Sequence, residues 1–554
     1  MFEQEVKKLL KSVGVKETIF EIPPQKDFGD VAFPCFQLAK PQKRNPAEIA
    51  NEIAGKLKVK DTIFSKIESK GPYVNFFFDW KKISERILKQ IVKTKIDFGK
   101  GKKVMVEYSQ PNTAHGLHIG HARATMLGES LCRILKLCGY NVIKTNYYGD
   151  FGVQMSKSIV AYMKWGKGTK IDKKQDLWMW DLYVKFHDES KTNQNLEEEA
   201  REVLRKLENK DNEIIKLWKE IRNLVLEGIK QTYKRLGVSF DVELFESEYF
   251  NLGRDIVEAA LNKGIAQKSE GAIITNLEKY GLSNAVLIKS DGTTTYQTRD
   301  LGLAVKNFKD YKLDSRIYVV DVRQSLHFKQ LFRTLELLVY SWAKNLHHLA
   351  FGFVNLPEGL MASRSGRAVA LDEFLDELRD LAYIEVEKRN PDIDKNSKMN
   401  IAEKIATGAL IFALLKIEPD QNIVFNKEDI IQFEGDTGPY VQYAHTRCLG
   451  ILKKTGKWKP KYSADELSEQ EKELLKTLSR FTEVLEHSAK EMRPHLVCNY
   501  AYELATTLAS FYEKCPVLKA EKDVKNFRLT LVDATRNVLR ISLNLIGIEV
   551  PEKM

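Results

Sequence analysis

The sequence has few cysteines for its length, and none of them form a closely spaced pair. Its 554 residues include six cysteines, which are scattered along the chain with no Cys-x-x-Cys motif. This pattern argues against a zinc ribbon and a disulfide scaffold, because both depend on a framework of paired cysteines. We therefore expect a cytoplasmic protein with reduced thiols.

Long apolar runs are also missing. No stretch approaches the roughly 18 apolar residues of a membrane-spanning helix, so we expect no membrane partner. The first residues have the spacing of an amphipathic helix and lack the apolar core of a signal peptide. The apolar fraction of 43% and the charged fraction of 29% are ordinary for globular proteins, which argues against disorder.

The charge balance is positive. Lys and Arg number 87 and Asp and Glu number 76, so the formal net charge is +11. A surplus of this sign favours a polyanionic partner, either nucleic acid or an anionic membrane. The chain is also too long for one hydrophobic core, and about 150 residues per domain predicts three or four domains.

The pattern along the chain predicts three domains. Residues 1–95 mix helix and strand signals and indicate a small α+β domain. Residues 96–400 alternate strands with helices, which predicts a doubly wound, Rossmann-like parallel sheet and thus an α/β fold class. A charged helical insertion interrupts this domain at about residues 160–240. Residues 401–554 carry helical patterns only and predict an all-α bundle.

Five segments have strand character within the predicted α/β domain. We assign to its sheet residues 102–109, 141–150, 271–275, 285–290 and 315–322. The first two flank a helical segment and form a βαβ unit with a parallel crossover.

Two histidines stand at the start of the helix in that unit. His118 and His121 are placed to share one helix face, and Gly116 and Gly120 permit a close approach of backbone or ligand. A helix start offers free N–H groups and the positive end of the helix dipole, which suit a phosphate. The segment is neither a Walker loop nor a dinucleotide fingerprint. We interpret it as a phosphate site rather than as two surface histidines.

The sequence His-Ile-Gly-His at 118–121 resembles the first signature of class I aminoacyl-tRNA synthetases. Its surroundings, residues 106–129, resemble the arginyl-tRNA synthetases. Other segments agree with that family in the expected order, namely 28–33, 71–78, 146–154, 290–302, 322–332, 435–447 and 533–554. The resemblance spans nearly the whole chain and includes an added N-terminal domain and a helical anticodon-binding domain.

The resemblance implies an ATP-dependent arginine-tRNA ligase. L-Arginine and ATP would form arginyl-adenylate and pyrophosphate, and the arginyl group would then pass to the 3′ adenosine of tRNA(Arg). Since the substrate carboxylate attacks the α-phosphate, catalysis would depend on positioning and charge stabilisation, with Mg²⁺ on the polyphosphate. The family implies a monomer and no tightly bound metal or organic cofactor.

A guanidinium substrate needs planar acceptors, ideally carboxylates, and Glu107 and Asp300 are the candidates. With the resemblance added, we assign to the arginine site Glu107, Gln110, Asn112, Tyr296, Asp300 and Gln324. We assign to the ATP site His118, Gly120, His121, His327, Gln330 and Met361. The catalytic residues in this interpretation are His118, His121 and Arg364.

Some of these residues have plainer interpretations. Asp300 is also placed to interact with a helix dipole, and Tyr296 is also a candidate core aromatic. His327 and Gln330 also fit a packed amphipathic helix that begins near Ser325.

The second class I signature departs from Lys-Met-Ser-Lys-Ser. Residues 360–367 stand in its place and contain neither lysine. Arg364 or Arg367 would supply positive charge near the pyrophosphate, although arginine is not geometrically equivalent to lysine. Many family members with this departure carry a compensating lysine where this chain has His115, so we hypothesise a phosphate role for His115. A similar stretch at 154–158 follows His121 too closely, and we interpret it as coincidence.

The C-terminal domain supplies the predicted tRNA contacts. We assign to the tRNA Tyr440, Gln442, Tyr443, His445 and Arg447. Aromatic residues with arginine suit an unstacked anticodon loop, and a core stripe with bonded hydroxyls is the alternative. The basic loop 453–462 is a candidate phosphate contact. The resemblance implies a contact of the N-terminal domain with the tRNA elbow, with Phe28, Tyr73 and Phe77 as candidates.

Two other functions stay open. The first is another nucleotidyl transferase of this superfamily or a synthetase for another amino acid, and an apolar amino acid would need neither Glu107 nor Asp300. The second is a tRNA-binding paralogue without catalysis. The altered second signature supports the paralogue, and the intact His118 and His121 oppose it.

Overall fold

The computed structural model describes residues 2–15, 19–23, 25–91, 96–249, 251–356, 359–360, 369–424 and 426–554. The chain divides into two compact units. The first unit comprises Met1–Lys95, Ala444–Glu483 and Glu503–Arg540, and the second comprises Ile96–Tyr443, Val484–Tyr502 and Ile541–Met554. Segments of the C-terminal region thus contribute to both units.

The N-terminal part of the first unit has α+β structure, as the sequence predicts. A three-stranded antiparallel sheet has the order Val31–Pro34, Tyr73–Phe78, Phe64–Lys70. Its helices are Phe2–Ser12, Phe36–Gln42, Pro46–Lys56 and Trp80–Gln90. The third helix begins as expected, because Pro46 occupies its first turn and Asn45 Oδ1 accepts from the Ala47 N–H at 2.9 Å.

The second unit is built on a five-stranded parallel sheet. Its strands in spatial order are Leu346–Phe351, Ser315–Asp321, Lys103–Glu107, Asn141–Tyr148 and Val242–Phe245. The expected α/β fold class is therefore confirmed. Because all five strands are parallel, their carboxyl ends meet at one edge, where ligands bind in open α/β sheets.

Two predicted strands do not belong to this sheet. Ala272–Thr275 and Ala285–Ile288 join Ala266–Ser269 in a separate antiparallel sheet. Their assignment to the parallel sheet is wrong, since a short apolar run does not specify its partner strand. A third small sheet contains Val354–Leu356, Gly359–Leu360 and Ile423–Val424.

Helices cover the parallel sheet and form the insertion. The insertion consists of Gln175–Ser190, Asn195–Glu208 and Asn212–Arg235. Its charge run is a solvated face, as expected, because the paired Arg201 and Glu198 side chains are 69% and 60% exposed. The other helices up to residue 430 are Ile119–Leu137, Val153–Ala161, Arg254–Asn262, Tyr296–Tyr311, Ser325–Leu337, Leu371–Arg389, Lys395–Leu415 and Lys427–Ile430.

The C-terminal region is helical, as predicted. Its helices are Gly438–Thr455, Glu469–Ser479, Phe481–Glu491, His495–Lys514 and Lys522–Leu545. Across the described parts of the chain, every helix is too short or too polar to cross a bilayer. The six cysteines are free and buried.

The helix Ile119–Leu137, called the signature helix below, is tied to later parts of the second unit by one arginine. Arg123 is fully buried, and its guanidinium donates to four backbone carbonyl oxygens. The acceptors and distances are Gly352 at 2.8 Å, Phe353 at 3.3 Å, Glu418 at 3.2 Å and Pro419 at 2.9 Å. These bonds occupy both terminal nitrogens of a buried guanidinium without a carboxylate, and they fix the helix against two loops.

Candidate active site

The signature helix begins at the carboxyl edge of the parallel sheet. His118 lies at its N-cap position in extended conformation, and its backbone N–H donates to His121 Nδ1 at 3.1 Å. The two imidazole centroids are 3.7 Å apart. A Cβ on Gly120 would lie 2.8 Å from the His118 ring, so a larger residue would push that ring away. The structure thus brings the two predicted histidines together at a helix start.

Both of these imidazoles are uncharged at neutral pH. Burial lowers the pKa of His118 to about 4, and it lowers the pKa of His121 well below its ordinary value. The neighbouring imidazoles lower both pKa values further. His118 Nδ1 is buried without a hydrogen-bond partner in the described part of the chain. A neutral ring nitrogen and the free N–H groups of the helix start can therefore bond to phosphate oxygens.

The residues that follow the second signature are hydrogen-bonded to the backbone of the first signature. The Leu371 N–H donates to the Leu117 carbonyl at 2.9 Å, and His118 and Ala370 form an antiparallel bridge. Met361 and Arg364 lie outside the described residues, as does Arg367, so their roles stay predictions.

His115 lies in the interior rather than at a phosphate site. Its side chain is 3% exposed, and its ring centroid is 4.8 Å from that of Trp180 and 5.0 Å from that of Tyr183. Burial also lowers the pKa of His115. A neutral, packed ring cannot replace the charge of a lysine, so the hypothesis of a compensating role is wrong.

Three carboxylates approach one another at the sheet edge. Glu107 ends one strand, Glu246 directly follows another, and Asp300 lies near the start of the helix Tyr296–Tyr311. All three interact electrostatically with Tyr147, and burial together with these carboxylates raises its pKa. Sequence reasoning missed Glu246, because the short strand before it carries no clear alternation.

Glu107 is committed to neighbours within the protein. Its Oε1 accepts from Gln110 Nε2 at 2.8 Å, and its Oε2 accepts from the fully buried Arg316. The side chain is only 5% exposed. Contrary to expectation, both oxygens of Glu107 are bonded within the protein, so it offers no free carboxylate to a substrate guanidinium.

Glu246 and Asp300 are the remaining acceptors. Arg299 Nη1 lies 2.6 Å from Glu246 Oε1, and burial raises the pKa of Glu246 while Arg299 lowers it. Asp300 Oδ2 lies 2.7 Å from His327 Nε2, and the two side chains are 25% and 23% exposed. The structure thus places a residue assigned to arginine in contact with one assigned to ATP.

Tyr296 and Gln324 lie at the open side of this cluster. Tyr296 begins its helix and is 65% exposed, which excludes the core-aromatic interpretation. Its ring centroid is 4.2 Å from the Arg299 guanidinium. Gln324 is exposed at the loop that follows the strand Ser315–Asp321.

The loop between the strand Lys103–Glu107 and the signature helix has an unusual backbone conformation. Ser109 and Gln110 have φ values of 76° and 50°, which non-glycine residues rarely adopt and which often mark functional sites. The Gln110 N–H donates to Asn146 Oδ1 at 3.0 Å, and Asn112 Oδ1 accepts from the Ala114 N–H at 2.8 Å. These bonds fix the backbone of Gln110 and the side chain of Asn112 at the sheet edge.

Gln330 is engaged away from the histidines of the signature helix. Its Nε2 donates to the Ser283 carbonyl at 2.9 Å and to the Ser283 hydroxyl at 3.2 Å. The residue lies on a helix that begins at Ser325, as the plainer interpretation expects. We therefore withdraw Gln330 from the ATP site.

The predicted tRNA-contacting residues all lie on the helix Gly438–Thr455, but they differ in how exposed their side chains are. Tyr440 and Tyr443 are half-buried and Arg447 is exposed, whereas Gln442 and His445 are 0% and 3% exposed. Gln442 Nε2 donates to the carbonyls of Lys404 and Glu549 at 2.9 and 2.7 Å. A buried side chain cannot present itself to RNA, so we withdraw Gln442 and His445 from the contact.

The stretch 154–158 has a structural role. Ser156 and Ser158 are buried in the helix Val153–Ala161, and Lys157 Nζ lies 2.7 Å from Glu197 of the insertion. Its likeness to the second signature is coincidental, as expected. In the N-terminal part, Phe28, Tyr73 and Phe77 are half-buried and keep some surface.

Family models match three consecutive parts of the chain. Residues 1–78 match the arginyl tRNA synthetase N terminal domain. Residues 83–427 match the catalytic domain of class I (R) tRNA synthetases, and residues 441–554 match the DALR anticodon binding domain.

Full-length relatives agree with these models. The arginine–tRNA ligase of Halothermothrix orenii is 39% identical over 561 residues, with 100% of this chain and 98% of the relative covered. That of Treponema denticola is 40% identical over 556 residues, with coverage of 96% and 94%. The solved Thermus thermophilus arginyl-tRNA synthetase superposes with a TM-score of 0.85 at 28% identity, over 100% of this chain and 99% of the other. The chain therefore belongs to the arginyl-tRNA synthetase family of class I aminoacyl-tRNA synthetases.

Proposed function

We propose that this chain ligates L-arginine to tRNA(Arg) with ATP, through an arginyl-adenylate. One observation carries the proposal: a helix start with two neutral imidazoles occurs at the same sheet edge as the partly exposed carboxylate of Asp300 and the buried carboxylate of Glu246. The first feature suits phosphates and the second suits a guanidinium. The full-length relatives named arginine–tRNA ligase support this assignment.

Adenylate formation needs no nucleophile from the protein. The arginine α-carboxylate attacks the α-phosphorus of MgATP, and pyrophosphate leaves. His118, His121 and the N–H groups of the signature helix donate to phosphate oxygens, where negative charge develops in the transition state. Since both rings are neutral, they stabilise the phosphates as hydrogen-bond donors. Arg364 is proposed to add positive charge from the second signature.

The guanidinium is proposed to bind Asp300 and Glu246. Asp300 is the more accessible carboxylate, and Glu246 is held in place by Arg299. Tyr296 covers the exposed side, Asn112 and Gln324 supply amides for the rest of the substrate, and Gln110 positions Glu107 beside them. An apolar amino acid would desolvate these acidic groups without offering them a further hydrogen-bond donor, which disfavours it.

The second step joins arginine to the tRNA. The 2′-hydroxyl of the 3′ adenosine attacks the carbonyl carbon of the adenylate, and AMP leaves. Tyr440, Tyr443 and Arg447 are proposed to contact the anticodon loop. We further propose that the enzyme is cytoplasmic and works as a monomer. Sedimentation of the pure protein would test the oligomeric state.

A charging assay with each amino acid tests the function. The expected result is esterification of arginine tRNA with arginine alone. Charging with a different amino acid would identify another class I synthetase. Binding of tRNA without charging by any amino acid would identify a paralogue that lacks catalysis, and either outcome refutes the proposal.

A further inference from the structure

A lysine of the insertion joins two buried carboxylates. Lys174 directly precedes the helix Gln175–Ser190, and its ammonium lies 3.0 Å from Asp176 and 2.8 Å from Asp372 Oδ2. It also donates to the Thr232 hydroxyl at 2.6 Å. Asp176 is fully buried and Asp372 is 7% exposed, so solvent ions screen these contacts little.

Asp176 packs against residues 116–118, called the pre-helix segment below because the signature helix follows them. A Cβ on Gly116 would lie 3.0 Å from Asp176 Oδ2, which is tighter than ordinary contact. On the other side, a Cβ on Gly228 would overlap Asp176 Oδ1, which also accepts from the Leu177 N–H at 3.0 Å. The carboxylate therefore has a fixed position against the pre-helix segment.

Asp372 belongs to the other element that contacts this segment. It is the second residue of the helix Leu371–Arg389, whose start is hydrogen-bonded to the pre-helix segment as described above. The segment is thus held from two sides, by Asp176 and by the start of this helix. Lys174 is bonded to both sides and fixes the distance between them.

Lys174 also balances the charge of this cluster. Burial raises the pKa of Asp176, Lys174 lowers it, and Asp372 raises it further. Arg235 is a second cation, and its guanidinium contacts Asp372, Asp376 and Glu403. Two cations therefore face four carboxylates, and without Lys174 a single cation would remain. Since like charges repel strongly when buried, loss of the ammonium would drive Asp176 and Asp372 apart.

We propose that Lys174 is a positioning residue for adenylate formation, because it holds the pre-helix segment and so places His118 for its contact with the phosphates. This inference rests on the proposed function, which assigns that contact to His118. Lys174 acts through Asp176 and Asp372 rather than on a substrate. A shift of the segment by about 1 Å is enough to matter, since such a misplacement can cost about one-hundredfold in rate.

Pyrophosphate exchange with arginine tRNA present tests this role. The full-length variant Lys174→Met keeps most of the stem without the charge, and Lys174→Arg keeps the charge. Urea unfolding gives the folded fraction of each protein, so that kcat is expressed per folded molecule. We expect Lys174→Met to lower this kcat about ten- to one-hundred-fold and to change the KM for arginine and for ATP by less than about threefold. Lys174→Arg should keep a kcat at least about threefold higher than that of Lys174→Met, because it can still bridge the carboxylates.

Lys173→Met is the matched control. Lys173 precedes Lys174 and pairs with Asp181 at 2.5 Å, where the two side chains are 35% and 60% exposed. This variant removes the same charge from the same stretch and should leave kcat unchanged. If Lys174→Met does not fold, Asp372→Asn decides, because it removes the charge at the other end of the bridge with little change in volume. We expect it to lower kcat per folded molecule at least about threefold.

An unchanged kcat in folded Lys174→Met, or in Asp372→Asn where that variant decides, would overturn the inference. An equal loss in Lys173→Met or in Lys174→Arg would overturn it too, because the bridging charge would then not be the cause. Absence of arginine-dependent exchange by the unsubstituted protein would refute the proposed function and the inference together. The two failures are distinguishable, since only the second is seen without any substitution.

Discussion

At the sheet edge, one contact joins a residue predicted for the arginine site to a residue predicted for the ATP site. Asp300 and His327 are 2.7 Å apart, although sequence reasoning assigned them to arginine and to ATP respectively. Glu107 and Gln330 are instead engaged by neighbours in the protein. A sequence shows which groups are chemically suitable, but only the folded chain shows which of them are already bonded.

Removal of the Asp300 charge should affect arginine binding selectively. We expect Asp300→Asn to raise the KM for arginine about ten- to one-hundred-fold, because a charged hydrogen bond is worth about 1.5–3 kcal/mol. The KM for ATP should change by a few-fold at most. Pyrophosphate exchange measures both values. Asp310→Asn, on the exposed end of the same helix, serves as the control, and equal effects on the two substrates would contradict a guanidinium contact.

Buried His445 should make stability depend on pH. Burial, with Arg536 and Arg540 nearby, lowers its pKa to about 4, whereas an unfolded histidine titrates near about 6.5. The unfolded state therefore binds more protons, and the stabilising effect of neutral His445 is lost as pH falls from about 6.5 towards about 4.

Urea unfolding at neutral pH and at pH about 5 measures this effect. We expect His445→Phe to lose about 2 kcal/mol less stability between these conditions than the unsubstituted protein, from the size of the pKa shift. His487→Phe removes an exposed histidine and is the control. An identical loss of stability in all three proteins would show that His445 does not titrate on unfolding.

At the scale of elements, the signature helix packs very closely against Tyr108, the residue directly after the strand Lys103–Glu107. A Cβ on Gly128 would overlap the side chain of Tyr108, which is fully buried and donates to Glu129 at 2.7 Å. Glycine at this position therefore sets the distance between helix and sheet.

Substitution of Gly128 tests this packing. We expect Gly128→Ala to lower the free energy of unfolding by about 1–3 kcal/mol, the usual cost of overpacking, despite the higher helix propensity of alanine. Gly450 is also helical, but a Cβ there would meet nothing beyond its own helix backbone within 4 Å, so Gly450→Ala is the matched control. The control should be neutral or stabilising. Equal stability of both variants would contradict close packing at Gly128.

The elements were predicted from sequence to different degrees. The signature helix and its two flanking strands follow from clear periodicity and were correctly placed. Residues 272–275 and 285–288 were correctly seen as strands but given the wrong sheet, because partner choice depends on contacts distant in sequence. The strand Val242–Phe245 was not predicted because four residues are too few to show a clear alternation. Glu246, which follows it directly, was therefore not predicted either.

At the scale of the whole molecule, the net charge of +11 predicted that the partner carries negative charge. It did not predict which surface of the protein binds that partner. Motif order along the chain predicted the family, since it does not depend on tertiary contacts. The surface could not be predicted, because buried Gln442 and exposed Arg447 share one helix and one pattern of polar residues. Burial separates them, and burial depends on the neighbouring helices.

Tyr443 and Arg447, which are half-buried and exposed on the helix Gly438–Thr455, should act on tRNA alone. We expect Tyr443→Ala and Arg447→Ala each to raise the KM for tRNA about tenfold, as lost stacking or a lost phosphate contact would. The KM for ATP and arginine should stay unchanged. Arginylation kinetics measure all three values. Tyr502→Phe, which keeps its ring beside Tyr440, is the control, and a rise in the KM for ATP would contradict a role confined to tRNA.

The four bonds of Arg123 have a consequence for synthesis of the chain. They join it to acceptors between 229 and 296 residues further along. A ribosome therefore makes the guanidinium long before Gly352 and Pro419 exist, and until then the cation must stay hydrated because its burial without acceptors is costly. The four bonds that fix the signature helix against the two later loops therefore cannot all form until residue 419 has been synthesised.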